Sequence, residues 1–318
     1  MFVKLQSVQA LRAVAALLVV LYHLTESHFF SGAAGVDIFF VISGFIIGTI
    51  EASENPRRFI IKRLIRIIPL YWAVTSLFCI GAIIGIFNRF SFDILSLVKS
   101  LMFIPYFNSS GNIWPLVIAG WTLNIEVLFY VIFAIGIAVG RPLWLTTTVI
   151  LCLVLGGVIF VPLSAPLKLW TSPIMLEFIF GLFIARIVFP FSFAVGLFIL
   201  LAGVAIFAWA EIYWNYTDFS RPAVWGGAAT LVVWGSVIIE RAGYWPNKLL
   251  DSISRIGDVS YSLYMVHSFA VALVLRKFGS GLPACFLGMS ISIIAAFACF
   301  HAFERPAGKI LNRAVGNL

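Results

Sequence analysis

Charge is scarce in this sequence. Asp, Glu, Lys and Arg make up 11% of its 318 residues, against roughly 25% in ordinary soluble domains. With 62% hydrophobic residues and a mean hydropathy of +1.07, the chain has too little polar side chain to cover a water-facing surface, which excludes a soluble fold. Cysteine is also sparse. Cys79, Cys152, Cys285 and Cys299 all sit in apolar segments without paired or metal-ligand spacing, so they read as small packing residues rather than disulfide partners, zinc ligands or nucleophiles. No P-loop, dinucleotide-binding glycine signature, HExxH or Gly-x-Ser-x-Gly elbow occurs, so the soluble nucleotide, metalloprotease and hydrolase classes have no support. Internal repeats, low-complexity linkers and polar stretches long enough for a soluble domain are missing too. The expectation is one membrane domain over residues 1–318 with no appended soluble domain.

What is present is a series of apolar runs. A spanning helix needs about 20 mostly apolar residues, because its backbone polar groups find no water in the hydrocarbon. Ten segments qualify, at 8–28, 35–50, 69–87, 117–139, 143–163, 173–189, 193–213, 223–239, 257–276 and 283–303, which predicts an all-α, polytopic helical bundle of about ten spans. The segment 90–116 is apolar but broken by Asp93, Lys99, Pro105 and Asn108, and suits an interfacial or re-entrant loop; counting it as a span would give eleven. Basic residues favour cytoplasmic loops, and the densest cluster, Arg57, Arg58, Lys62, Arg63 and Arg66, follows the second span. Both termini of a multi-pass membrane protein are therefore expected on the cytoplasmic side. The net charge of +8 belongs to these span flanks and does not form a nucleic-acid-binding face. The N-terminal run lacks a small-residue cleavage site and leads directly into another span, so it reads as a permanent helix and not as a signal peptide.

Ionisable groups within spans are costly and mark candidate sites. Arg12 and His23 lie eleven residues apart, close to three helical turns, which puts them on one face about 16 Å apart. An imidazole can take a proton from a hydroxyl and return it, and a guanidinium can hold a phosphate or carboxylate. The alternatives are an arginine snorkelling to the interface and a structural histidine. Asp37 lies in Gly35-Val36-Asp37-Ile38-Phe39-Phe40-Val41-Ile42-Ser43-Gly44-Phe45, whose small residues let helices approach closely. It is expected opposite His23, orienting its ring, or else as a helix-start acid. Arg63 and Arg66, at i and i+3, share a helical face and make a candidate phosphate clamp, although membrane orientation explains the charges equally well. Glu126 stands about ten residues inside an apolar span and needs a partner or a proton. Arg12, His23 and His267 are candidates across helices, and Tyr130 at i+4 is one on its own face. His267 is near mid-span, either lining the same cavity or bridging helices; His28 and His301 fall at span ends, and Glu177 is a weaker cavity candidate.

Taken together, these stretches resemble the acyltransferase-3 family of membrane acyltransferases, in particular the rhizobial-type exopolysaccharide (succinoglycan) acetyltransferases. The resemblance covers nearly the whole chain. It rests on Arg12 followed by His23, Gly35-x-Asp37-x-Phe39-Phe40-x-Ile42-Ser43-Gly44-Phe45, Arg63-x-x-Arg66-x-x-Pro69-x-Tyr71-Trp72 and Trp121-x-Leu123-x-x-Glu126-x-x-Phe129-Tyr130. Tyr261-Ser262-Leu263-Tyr264-x-x-His267 and the closing Phe303-Glu304-Arg305-Pro306 are similar to late motifs of the family. The resemblance implies an O-acyltransferase that moves an acetyl or other short acyl group from an acyl-CoA cosubstrate to a hydroxyl of an exopolysaccharide or lipid-linked glycan. It further implies no permanently bound cofactor, no metal, and a place in the bacterial inner membrane. The resemblance also implies His23 and Arg12 as the catalytic pair, with His23 as the base or a transient acyl carrier and Glu126 and Asp37 positioning or polarising it. Arg63, Arg66 and Arg12 become donor-phosphate contacts, and Ser43, Trp121, Tyr130 and His267 line the substrate cavity. The expected partners are the glycan acceptor, the lipid bilayer, and a polysaccharide synthesis complex or a second copy of the chain. A transporter or flippase for a lipid-linked sugar, and a noncatalytic subunit of such a complex, are the competing classes.

Overall fold

A computed structural model of the chain describes residues 5–50, 54–85, 92–187, 192–244 and 247–316, with the side chains of 247–251 excepted. The described residues form α-helices joined by short 3-10 and π turns, without a strand. In chain order the helices are α1 (Gln6–Leu24), α2 (Gly35–Gly48), α3 (Pro56–Ile83), α4 (Ile94–Leu101), α5 (Gly120–Ala138), α6 (Pro142–Phe160), α7 (Ala165–Trp170) and α8 (Leu176–Arg186). They continue with α9 (Phe193–Tyr213), α10 (Gly227–Arg241), α11 (Asn247–Asp258), α12 (Ser260–Phe278), α13 (Leu282–Cys299) and α14 (Arg305–Gly316).

Eight helical stretches among the described residues are long and apolar enough to cross a membrane, and a pair broken by a 79° bend, Ser252–Asp258 with Ser260–Phe278, makes a ninth. The sixth expected segment, 173–189, is not among them. Within its described part, a 3-10 turn at Pro173–Met175 leads into the eleven-residue α8, about 17 Å long and too short to cross alone. Its Phe178, Ile179 and Leu182 are buried in protein. The span expected at 69–87 also differs. Its helix, α3, begins thirteen residues earlier, because Pro56 occupies the first turn and the Asn55 side chain accepts from the Arg57 and Arg58 N–H groups at 2.9 and 3.1 Å. The basic cluster is therefore helical, and α3, at 28 residues, runs through Pro69 without ending. Residues 86–87, 90–91 and 188–189 of the expected segments lie outside the described residues. The described part of 90–116 holds the short α4, opened by an Asp93–Ser96 capping box whose hydrogen bonds hold the Asp93 carboxyl below the usual carboxylate range.

The chain divides into two compact units, residues 1–50 with 176–298, and residues 51–175 with 299–318. In the first unit α1 is central, packed by α2, α10, α11 and α12. Val8, Leu11 and Ala15 of α1 join Ile38, Val41 and Phe45 of α2, Ile184 of α8 and Val232, Val233 and Val237 of α10 in one core. Helices α2 and α8 cross at glycines. A Cβ on Gly181 would meet the Val41 carbonyl, and one on Gly44 the Phe178 carbonyl, so the two backbones touch where any larger residue would part them.

Two acids then tie helix ends together. Glu240, in the last turn of α10, accepts from the Gln6 and Ser7 N–H groups at 2.8 Å each. Glu211, in the last turn of α9, accepts from the Phe30 and Ser31 N–H groups at 3.1 and 2.5 Å. Each carboxylate thus satisfies orphan donors at a helix start and favours the positive end of its dipole. In consequence, the end of α10 meets the beginning of α1, and the end of α9 meets the turn that opens the second span.

In the second unit α3 packs on α5, α5 on α6, and α14 on α3. Buried Tyr71 of α3 lies against Gly120 at the start of α5, and Phe59 of α3 meets Phe133 and Tyr130 of α5 at 5.3 and 6.3 Å between ring centroids.

A test of the glycine crossing follows. Gly181→Val is expected to abolish the monodisperse peak of detergent-solubilised protein in fluorescence-detected gel filtration. Gly156→Ala, in the interior of α6 with open space around the site, is expected to keep the peak and raise stability by up to about 1 kcal/mol.

Candidate functional site

Helix α1 is unbroken from Gln6 to Leu24, so the geometry read from the spacing of Arg12 and His23 holds in the fold. Ala13, Ala16 and Val20, which flank this face, are buried. Arg12 is half-buried, with Nη1 3.4 Å from Gln9 Oε1. His23 is exposed in the last turn of the helix, where its ring has an edge contact with Tyr22 at 5.1 Å between centroids. It also stacks on the His267 ring of α12 at 5.3 Å, with 30° between the planes. His267 is only 3% exposed, and its Nδ1 lies 2.8 Å from the Tyr264 carbonyl. A carbonyl only accepts, so the hydrogen-bonded nitrogen carries the proton, and the lone pair of the neutral ring is on Nε2. The two histidines, assigned separately along the sequence, are thus neighbours in the first unit.

Asp37 is where the structure corrects the sequence reading. It is fully buried in the first turn of α2, but its carboxylate goes to Arg221 and does not orient His23. Arg221 donates from Nε to Oδ1 at 2.9 Å and from Nη2 to Oδ2 at 2.8 Å, the two-pronged match of a guanidinium to a carboxylate. A buried carboxylate takes the partner that fills both oxygens, and no helical spacing announces a partner 184 residues away. The face of Arg221 lies over the Trp225 ring at 5.3 Å, and its Nη1 is 3.4 Å from the Tyr216 hydroxyl. That hydroxyl donates to Asp218 at 2.6 Å, and burial pushes the Tyr216 phenol up to about 12, so it remains a donor at neutral pH. Glu177 of α8, also fully buried, sits beside Asp37 and Arg221 and against Gly226. One guanidinium balances one carboxylate, so the triad is neutral, its least costly state in a dry interior, when the second acid, Glu177, keeps its proton.

Sequence reasoning weighed Glu177 weakly and missed Arg221 altogether. An arginine directly before Pro222 and an apolar run reads as an ordinary span flank. Ser43 is half-buried on α2, while His28 is exposed with Nδ1 2.7 Å from the Thr25 carbonyl, consistent with an interfacial position.

The second unit gathers another group. Tyr130 donates to Glu126 one turn before it on α5, as the i, i+4 spacing allowed. The Arg63 guanidinium of α3 lies over the Phe59 ring at 5.6 Å and the Tyr130 ring at 5.9 Å. Glu126 and Arg66 are within electrostatic range of Arg63, so four residues chosen from two separate motifs form one cluster. Both arginines are half-buried, as is Trp121 in the first turn of α5. Nearby on α5, Asn124 is buried, and Thr122 donates to the Ala119 carbonyl at 3.0 Å. A planar cation held over two rings, with a carboxylate and a second cation within electrostatic range, suits binding of a phosphate-bearing ligand. Among the described residues no three His, Cys, Asp or Glu side chains converge as metal ligands would.

The sequence profile of the acyltransferase domain family matches residues 5–301. The exopolysaccharide production protein ExoZ of Rhizobium meliloti is 34% identical over 304 residues, spanning 90% of this chain and 93% of its own length. The peptidoglycan O-acetyltransferase OatA of Listeria monocytogenes is 25% identical over an alignment that covers 95% of this chain. The chain spans only 56% of that relative. No solved structure matches.

The triad makes a testable contrast. Arg221→Met is expected to lower stability by about 3 kcal/mol because it strands buried carboxyls, whereas Glu177→Gln is expected to stay within about 1 kcal/mol, an amide replacing a neutral acid. Thermal unfolding of the solubilised protein measures both. Equal losses would mean that Glu177 carries a charge that the site needs.

Proposed function

The chain belongs to the acyltransferase-3 family of acyltransferase domains, and from that premise we propose that it transfers an acetyl or other short acyl group from an acyl-CoA to a sugar hydroxyl of an exopolysaccharide or lipid-linked glycan. The observation that carries this reading is His23. It is an accessible imidazole at the end of a helix whose same face carries Arg12 three turns earlier. In the proposed reaction the neutral imidazole accepts the proton of the sugar hydroxyl as its oxygen bonds to the thioester carbonyl carbon. The carbon–sulfur bond breaks, the acyl ester and a thiolate result, and the proton passes from the imidazolium to the thiolate. Arg63 and Arg66 in the second unit, and Arg12 in the first, are assigned to donor phosphates. Glu126 and Tyr130 hold Arg63 in place through the contacts of α3 with α5. Ser43 and Trp121 are assigned to the acceptor-binding surface of their respective units.

The relatives support the glycan acceptor, since one acts in exopolysaccharide production and the other is named for O-acetylation of peptidoglycan. The proposed setting is a bacterial inner membrane, with both termini cytoplasmic and ten crossings, the sixth made by the Pro173–Met175 turn and the short α8 inside the protein, where neighbouring helices shield them from lipid. The pairing of the α10 end with the α1 start is consistent with that topology, in which both lie on the same side.

Membranes containing the protein are expected to add O-acetyl groups to the glycan when supplied with acetyl-CoA, read by mass analysis of the product. His23→Ala should abolish the transfer with the protein still inserted, and unchanged acetylation would remove His23 from the mechanism. Arg63→Lys keeps the charge but loses the planar stack, and is expected to raise the acyl-CoA KM by about tenfold. A deletion strain that exports normal amounts of glycan without acetyl groups would exclude the transporter or flippase class.

A further inference from the structure

A base that must take a proton in one direction needs its ring held, and in many enzymes a carboxylate bonded to the second nitrogen does this. Among the described residues no carboxylate is bonded to the His23 ring, and Asp37, the acid nearest to it in the sequence on the following helix, is committed to Arg221. What the ring has is a stack. Tyr22 meets it edge-on at 5.1 Å, and His267 lies under it at 5.3 Å. Behind His267 comes the Tyr264 ring at 5.9 Å, and behind that Phe39 of α2, also at 5.9 Å. These rings link an exposed histidine to buried positions on α12 and a half-buried phenylalanine on α2. The His267 ring cannot turn freely, because its Nδ1 is bonded to the Tyr264 carbonyl on its own helix and the side chain is buried.

We propose that His267 is a positioning residue for His23, fixing the plane of the exposed imidazole by stacking and presenting its π-face to the imidazolium that forms when His23 takes the acceptor proton. The role rests on His23 being the base of the proposed transfer. It replaces the substrate-facing role expected for His267 from the sequence. Two imidazolium rings at this separation would repel, so at most one of the two is an imidazolium, and in the proposed transfer that one is the exposed His23. His267 exchanges no proton in this account. It acts as a flat, neutral, immobile surface, a task that another ring can perform.

The chemistry of that task decides the test. In membranes with matched amounts of inserted protein, His267→Ala is expected to lower kcat for acyl transfer about tenfold, with the acyl-CoA KM within about twofold of wild type, because the loss falls on the step that forms the cation. His267→Phe, which restores a ring but no ring nitrogen, is expected to recover kcat to within about threefold of wild type. Phe as inactive as Ala would overturn the proposal in favour of a proton carried by His267, and full activity of the Ala variant would overturn it outright. A geometric readout separates this inference from the reading beneath it. Ethoxyformylation of His23 by diethyl pyrocarbonate, followed by peptide mass analysis, should be faster in His267→Ala than in wild type and unchanged in His267→Phe. Absence of acyl transfer by the wild-type protein, with that reactivity pattern intact, would remove the proposed reaction and leave the stack. An unaltered His23 reactivity in the Ala variant would remove the stack itself.

Discussion

Inside a bilayer a polar group has no water to fall back on, and the arrangement of this chain depends on the partners that the protein supplies to buried side chains and to helix starts. Arg221 gives both prongs of its guanidinium to Asp37, and Tyr130 gives its hydroxyl to Glu126. The Tyr264 carbonyl takes the Nδ1 proton of His267. Glu240 and Glu211 apply the same logic to backbone, each spending one carboxylate on two N–H groups that open a helical segment. These contacts decide which helix ends meet, and so decide the connectivity of the first unit more narrowly than its apolar packing does, since lipid tails are as apolar as leucine.

Apolar packing contributes closeness. Gly44 and Gly181 bring α2 and α8 into backbone contact, which brings Glu177 of α8 up to Asp37 of α2 and makes a two-carboxyl cluster of residues that stand 140 positions apart in the chain. Helix α1, enclosed by its neighbours along the faces of Ala13, Ala15 and Ala16, is straight enough to keep Arg12 and His23 aligned. That enclosure holds the end of the helix in place, and with it the exposed His23 against His267.

How much of this could be read from residues varies with the range of the interaction. The i, i+4 pair of Glu126 and Tyr130 was legible because both ends lie on one helix face. The shared face of Arg63 and Arg66 was legible for the same reason, although the start of their helix was not. The span was expected to begin at residue 69, after the arginines, yet Asn55 and Pro56 start the helix thirteen residues earlier. The segment at 173–189 looked like a span from composition alone. The 3-10 turn at Pro173–Met175 leaves only eleven helical residues before Ile187, a length suited to burial against α2. Asp37 stood out correctly as a costly buried acid, but its assigned partner was a histidine close in the chain, and Arg221 had no mark beyond its place before a span.

The sequence by itself determined the membrane class, the family, and the alignment of Arg12 with His23, because hydropathy, ordered motifs and helical period are all properties of short stretches of chain. Only the tertiary structure decided that His23 stacks on His267, that Asp37 belongs to Arg221 and Glu177, and that Arg63 rests over Tyr130 beside Glu126. A polar group in a dry interior must find a partner wherever helices bring one within reach. That reach is set by close crossings such as Gly44 on Gly181, which no local pattern encodes.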